Sequence, residues 1–299
     1  MEEVLKHWGL NTVKERNDIL LQGSPERSIK RSAFEDDKGR LYVLESVSDF
    51  ERKRKIAANL QYLNEKGLPV NPYIKHKWKD DFILRNGSNN YQLSKYVEGI
   101  ELIRPDYLND KWRGEAMAEF LLQLRGMHPP NDIERPCLRE YVRNISLKLN
   151  LEEFRDFLED FFVLNLESSF CHGDFHPLNV IWGNHRINAV IDWEFSGLNY
   201  RGYDLCNLLG CVGSEGPKYF DSDFVSGLFS GLGQSYLTRE EFENIPALML
   251  AIRFGWLAEW LRKDDKEMVE LELVYMSFLK ENQSYLLGKF NNFNSKIKG

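Results

Sequence analysis

The chain has 299 residues, with 39 basic against 46 acidic side chains and a formal net charge of −7. That length can bury a sizeable core in one large domain or two lobes, and the acidic balance argues against a protein that works by neutralising nucleic-acid phosphates. No run approaches the ~20 apolar residues that span a bilayer. The first ten residues hold no apolar signal core, and Cys137, Cys171, Cys206 and Cys211 show neither C-x-x-C pairing nor partner histidines, so a protein of the reducing cytoplasm without disulfides, structural metal, membrane or nucleic-acid partner is expected.

Residues 19–23, 29–34 and 40–47 read as short strands, separated by the turn signals Ser24-Pro25-Glu26-Arg27 and Asp36-Asp37-Lys38-Gly39. From 48 to 66 the period becomes helical, with Ser48 or Asp49 as cap, Ile56, Leu60 and Leu63 as the apolar stripe and Gly67 as the stop. Two further strands are expected at 78–85 and 91–97. These elements make a small, mostly antiparallel β lobe with one helix over residues 1–97. After Glu98-Gly99 the pattern is dominated by long helices, so residues 98–299 are expected to form a larger helical lobe, an α+β architecture. A helix is predicted at 114–127, with Met117, Phe120, Leu121, Leu124 and Met127 on one face and a stop at His128-Pro129-Pro130. One β-like island interrupts this half, 180–182 and 187–191 around Gly183-Asn184, and from Asp204 onward the sequence reads as helix.

Chemistry concentrates beside that island, in Cys171-His172-Gly173-Asp174-Phe175-His176-Pro177-Leu178-Asn179 and in Ile191-Asp192-Trp193-Glu194. Phosphoryl transfer needs a carboxylate beside the attacking hydroxyl and oxygen ligands that hold Mg²⁺ against the phosphates. His172, Asp174 and Asn179 have the H-x-D-x-x-x-x-N spacing of a kinase catalytic loop, in which the Asp accepts the hydroxyl proton and the Asn binds Mg²⁺. A hairpin then returns the chain so that Asp192 can supply a second metal ligand. His-Gly-Asp alone is common, and Asp192 alone is an ordinary strand-end carboxylate; order, spacing and hairpin together carry the reading.

These segments resemble the signatures of the aminoglycoside phosphotransferase and choline kinase superfamily, relatives of the protein kinases. Residues 194–205 are similar to the stretch after the metal-binding aspartate of choline and ethanolamine kinases, while His172-Gly173-Asp174 is closer to aminoglycoside and homoserine kinases. Tyr96-Val97-Glu98-Gly99 resembles the hinge, residues 124–128 the L-x-x-x-H helix end, and Gly67-Leu68-Pro69-Val70 the exit from the small lobe's helix, so the resemblance covers roughly residues 5–210. It implies a protein-kinase-like two-lobed fold and an enzyme that moves the γ-phosphate of ATP, with Mg²⁺, to a hydroxyl of a small molecule of aminoglycoside, choline or homoserine type. By the same resemblance Asp174 is the catalytic base, Asn179 and Asp192 hold the metal, and Ser94 and Tyr96 lie in the hinge against adenine. His172 is architectural, and Asp204 braces the catalytic loop.

One position departs from the pattern. Where the resemblance implies a strand cation in a V-L-K motif, this chain reads Val43-Leu44-Glu45. A lone carboxylate would repel a triphosphate, by ~4 kcal/mol for unit charges about 4 Å apart at an effective dielectric near 20. Glu45 is therefore expected to face the nucleotide and to pair with Arg52 or Lys53 of the following helix, while a basic residue of that helix, Arg27 or Lys30 contacts phosphate; the alternative is that a one-residue register shift turns Glu45 to solvent. The alternatives are that Arg52 to Lys55 form a solvated face, that Arg27 and Lys30 are exposed strand residues, and that the chain is a nucleotide-binding pseudokinase with a regulatory or scaffolding role. For the acceptor, Trp256 and Trp260 at i, i+4 with Glu259 alongside suit a cationic ligand, although Trp at helical spacing also reads as core. Glu194 reads either as a substrate contact or as a surface charge, and His176 as a substrate contact or a structural residue.

Overall fold

The computed structural model describes residues 2–21, 29–77, 80–134 and 137–296. The chain opens with the short helix α1 (Glu2–Leu5) and strands β1 (Val13–Glu15), β2 (Lys30–Asp36) and β3 (Leu41–Val47). Helix α2 (Phe50–Glu65) follows, then β4 (Ile83–Asn86) and β5 (Asn89–Lys95). The five strands form one sheet in the order β1-β2-β3-β5-β4, antiparallel at every junction.

Strand alternation divides β3 between two faces. Tyr42 and Leu44 join Phe34, Leu84 and Leu93 in a core that Val4, Leu5, Trp8 and Leu10 cover from the N-terminus. Val47, on the opposite face, packs with Ala57 of α2 and with Phe82 and Ile83. Val43 and Glu45 share the parity of Val47, which sets the direction of Glu45 without any long-range information. Helix α2 starts at Asp49, whose side chain accepts the Arg52 N–H at 3.0 Å, a cap that contributes about 1 kcal/mol. It ends at Gly67, whose φ of 87° lets the Leu68 N–H reach back to Leu63 C=O at 3.1 Å.

The first edge strand was expected at 19–23. Residues 19–21 are irregular and 22–23 lie outside the described residues; β1 takes the edge instead, too short and too charged to show a period.

Next come α3 (Lys111–Arg125), α4 (Leu138–Leu149), α5 (Glu152–Phe162) and β6 (Ser168–Cys171). The expected island is the hairpin β7 (Val180–Gly183) and β8 (Arg186–Val190), after which β9 (Gly197–Tyr200) pairs with β6. Helices α6 (Tyr203–Ser214), α7 (Asp223–Leu232), α8 (Arg239–Glu243), α9 (Ile245–Arg262), α10 (Lys266–Glu281) and α11 (Gln283–Lys296) complete the chain. None of the described helices is long and apolar enough to cross a membrane.

The chain forms two compact units, and they interleave in sequence. The first comprises Met1–Leu102, Met127–Ile133 and Pro177–Ser196; the second comprises Ile103–Gly126, Glu134–His176 and Gly197–Gly299. A single cut after residue 97 therefore gives way to two later returns into the first unit. Hydrogen bonds join both returns to the rest of that unit: Asn59 Nδ2 donates to Asn131 C=O at 2.9 Å, and the Val190 N–H donates to Pro69 C=O at 2.7 Å.

In the second unit, α3 and α7 approach through glycine. A Cβ on Gly114 would lie 1.9 Å from the Phe224 carbonyl oxygen, and one on Gly227 would lie 2.1 Å from that of Lys111.

Candidate active site

The loop after β6 is held by backbone donors meeting one carboxylate. The His172 and Gly173 N–H groups donate to Asp204 Oδ2 and Oδ1 at 2.7 and 2.8 Å, so Asp204, in the first turn of α6, uses both oxygens on this loop. Gly173 supplies the left-handed φ of 85° that the turn requires. His172 is fully buried, and its Nδ1 accepts the Asp174 N–H at 3.2 Å. Phe175 is also fully buried, stacks on Phe120 at 5.2 Å, and its carbonyl accepts from Asn207 Nδ2 at 3.2 Å. Asp174 is thus fixed on both flanks, with 7% of its surface exposed and one oxygen 3.5 Å from His176 Nε2.

Asn179 and Asp192 belong to the first unit. The hairpin brings them together, because the Ile191 N–H donates to Asn179 C=O at 2.9 Å. Asp192 adopts φ 67°, ψ 57°, a left-handed conformation that few non-glycine residues other than Asn and Asp enter. Trp193, anchored by its indole N–H on Val190 C=O at 2.9 Å, follows at once and holds the turn. Mg²⁺ carried by a nucleotide needs only one or two protein oxygens beside the phosphates. An amide and a carboxylate at this hairpin fit that requirement, and among the described residues no group of three or more His, Cys, Asp or Glu forms an all-protein metal cage.

A pocket in the first unit is lined by Ser94, Lys95, Tyr96 and Val97, by Asp192 and Glu194, and by Arg31, Glu45 and Lys53. Glu45 faces it, as strand parity requires. Its cation is not in the basic run: Arg31 Nε lies 2.9 Å from Glu45 Oε1, on the residue directly opposite in β2. Glu45 Oε2 accepts from Gln92 Nε2 at 2.7 Å and from Tyr73 OH at 3.2 Å.

The basic run divides. Lys53 is buried and bonds the Glu194 carboxylate, Arg52 donates to Glu194 C=O at 2.6 Å, and Arg54 and Lys55 are exposed. Lys30, next to Arg31, has the opposite strand parity, is exposed and does not line the pocket. Arg27 lies outside the described residues. Arg31 is the pocket cation that the sequence does not single out, although the alternation that orients Glu45 also orients Arg31 once the β2–β3 register is known; Lys53, expected to pair with Glu45, pairs with Glu194 instead.

In the second unit, Trp256 is half-buried, with its ring 6.1 Å from that of His176 and 5.9 Å from that of Trp260. The Arg253 guanidinium lies 5.5 Å from the Trp256 ring centre. Glu259 is engaged by Arg262 at 2.7 Å and Lys263 at 3.5 Å. Glu272 is buried against Arg253 at 2.6 Å. These two carboxylates already carry cations of the fold itself.

Burial, followed by the Glu45 and Glu194 carboxylates, pushes the Tyr73 phenol well above its ordinary value of 10. Burial and Asp204 do the same for Tyr236. A raised phenol contributes stability that is complete below pH ~10 and is lost as pH rises through its folded value. In an alkaline titration, phenolate absorbance from these two tyrosines is expected to appear together with loss of tertiary circular dichroism. Full smooth ionisation near pH 10 with the fold intact would contradict these raised values.

The model of the "Phosphotransferase enzyme family" matches residues 30–247. A probable aminoglycoside 3'-phosphotransferase from Lactococcus lactis is 25% identical over 217 residues, 65% of this chain and 76% of the relative. A homoserine kinase from Zymomonas mobilis is 30% identical over 108 residues, 35% of this chain and 34% of that relative, so the matched stretch spans only about a third of its length. Among solved structures, the amicoumacin kinase hAmiN in complex with AMP-PNP, Ca²⁺ and Ami is similar at a TM-score of 0.64 and 13% identity, over 94% of this chain and 93% of that one. At that identity the likeness speaks for the fold, which is the two-lobed protein-kinase-like one.

Proposed function

The chain belongs to the phosphotransferase enzyme family, and we propose that it transfers the γ-phosphate of ATP, with Mg²⁺, to a hydroxyl of a small molecule. The observation that carries this reading is the catalytic-loop geometry: a carboxylate, Asp174, on a loop whose two preceding N–H groups are both clamped by Asp204. In this mechanism the Asp174 carboxylate accepts the acceptor's hydroxyl proton as the new oxygen–phosphorus bond forms and the bond to the departing ADP oxygen breaks. His176, 3.5 Å from Asp174, and Trp256 flank the acceptor. Asn179 and Asp192 would hold Mg²⁺, which neutralises charge on the β- and γ-phosphates. Ser94 and Tyr96, which line the pocket, would take the nucleotide base.

A nucleotide-binding pseudokinase is the other reading, motivated by Glu45. The presence of Arg31 and Lys53 in the same pocket favours catalysis, because Glu45 has its own counter-ion and the Lys53 ammonium, bonded to Glu194, keeps donors for phosphate. The relatives' names span aminoglycoside and homoserine acceptors, so the acceptor is proposed only as a hydroxyl-bearing small molecule.

The test is nucleoside diphosphate release by purified protein across a panel of aminoglycosides, amino alcohols, hydroxy amino acids and sugars, with Asp174→Asn as control. At least one compound is expected to stimulate release in the wild type alone. A KM that rises with salt would mark a cationic acceptor bound through exposed carboxylates. Nucleotide binding without stimulation by any class of acceptor would favour the pseudokinase.

A further inference from the structure

Two ion pairs line the pocket of the first unit, and they are not equivalent. In the Arg31–Glu45 pair the carboxylate is held from three sides, by Arg31, Gln92 and Tyr73. Its side chain is 14% exposed. Drawing Arg31 away to a phosphate would leave Glu45 poorly hydrated beside a second anion, so this pair is a closed, locally neutral unit. Lys53 stands differently. It shares one face of α2 with Ile56 and Leu60, which also line the pocket, and its ammonium bonds a single carboxylate, Glu194. A lysine ammonium has three donors on a flexible stem, so it can bond a phosphate oxygen while keeping Glu194.

We infer that Lys53 is the cation that holds the nucleotide's phosphates in this protein, with Glu194 as the anion that positions it. Where the resemblance implies a strand cation, the strand here carries the carboxylate and the following helix carries the ammonium. The inference rests on the nucleotide reading above and adds a residue to it. It also gives Glu194 a place. Two residues after the proposed metal ligand Asp192, Glu194 receives Lys53 at its carboxylate and Arg52 at its carbonyl, which ties the turn bearing Asp192 to the first turns of α2. Phosphate cation and metal ligand are thus set by one contact.

The experiment is calorimetric titration of the full chain with Mg-ADP, Mg-GDP and the two nucleosides, so that the phosphate-dependent part of the affinity is isolated. Lys53→Met is expected to weaken nucleoside diphosphate binding by about 10- to 100-fold, the range of a lost charge-assisted hydrogen bond, and to leave nucleoside binding within about twofold. Because Lys53→Met strands Glu194, the double variant Lys53→Met with Glu194→Gln provides a neutral pair in a stable fold and is expected to lose the same phosphate-dependent affinity. Arg31→Met with Glu45→Gln removes the other pair and is expected to keep diphosphate binding within about threefold. Retained phosphate-dependent affinity in both Lys53 variants, or its loss in the Arg31 and Glu45 variant, overturns the assignment. A wild-type protein that binds none of these compounds overturns the nucleotide reading itself, and the inference with it.

Discussion

Asp174→Ala and Asp174→Asn are expected to lower kcat by about 10²- to 10⁴-fold, the contribution of a positioned general base, while the protein melts within about 2 °C of the wild type. The separation of rate from stability follows from the loop's construction. Its brace runs through the backbone N–H groups of His172 and Gly173 to Asp204, and the Asp174 N–H to His172 involves no atom of the Asp174 side chain. Asn keeps the volume and cannot take up the proton, so the two variants should agree. Asp192→Ala is expected to fall as far and to shift the Mg²⁺ requirement upward, because it removes one of two proposed protein oxygens. Steady-state kinetics over a magnesium series, paired with a melting curve for each variant, checks both. More than a tenth of wild-type kcat in an Asp174 variant would remove that residue from the chemistry.

The largest stability effect is expected at Gly114. Helix propensity alone predicts that Gly114→Ala stabilises by roughly 1 kcal/mol. Packing opposes this, since the new Cβ would meet the Phe224 carbonyl oxygen at 1.9 Å and the Leu228 amide nitrogen at 2.7 Å. Both are backbone atoms of α7, which cannot rotate aside as a side chain would. Forcing α3 and α7 apart costs about 3 kcal/mol or more in an already filled core, so packing wins. In a chain of this size that lowers Tm by about 5 °C or more. Gly255→Ala is the matched control. It is also a helical glycine, but nothing lies within 4 Å of its Cβ position, and it is expected to melt at or slightly above the wild-type temperature. A Gly114→Ala protein as stable as the Gly255→Ala one would mean that the α3–α7 contact yields.

The sequence alone determined the features that depend on neighbours a few residues apart. Asp49 caps α2 because a short acceptor precedes an apolar helical period. The hairpin from Val180 to Val190 forms because two apolar runs flank Gly183-Asn184, and Glu45 points to the pocket because side chains alternate along a strand. The loop from His172 to Asn179 is legible for the same reason, its chemistry being packed into eight consecutive residues. What tertiary structure decided are pairings between residues far apart in the chain. The sequence reading sought the counter-ion of Glu45 in the helix just after it, whereas register placed Arg31 directly opposite on β2. The partner of Lys53 stands 141 residues away at Glu194, at a separation where no periodicity or local spacing carries a signal. Among the described residues, strands β6 and β9 likewise have only each other as sheet neighbours, and four residues apiece are too few to show a period. A charge carries no record of its partner in its local sequence, since attraction acts through space and the fold chooses which charges meet.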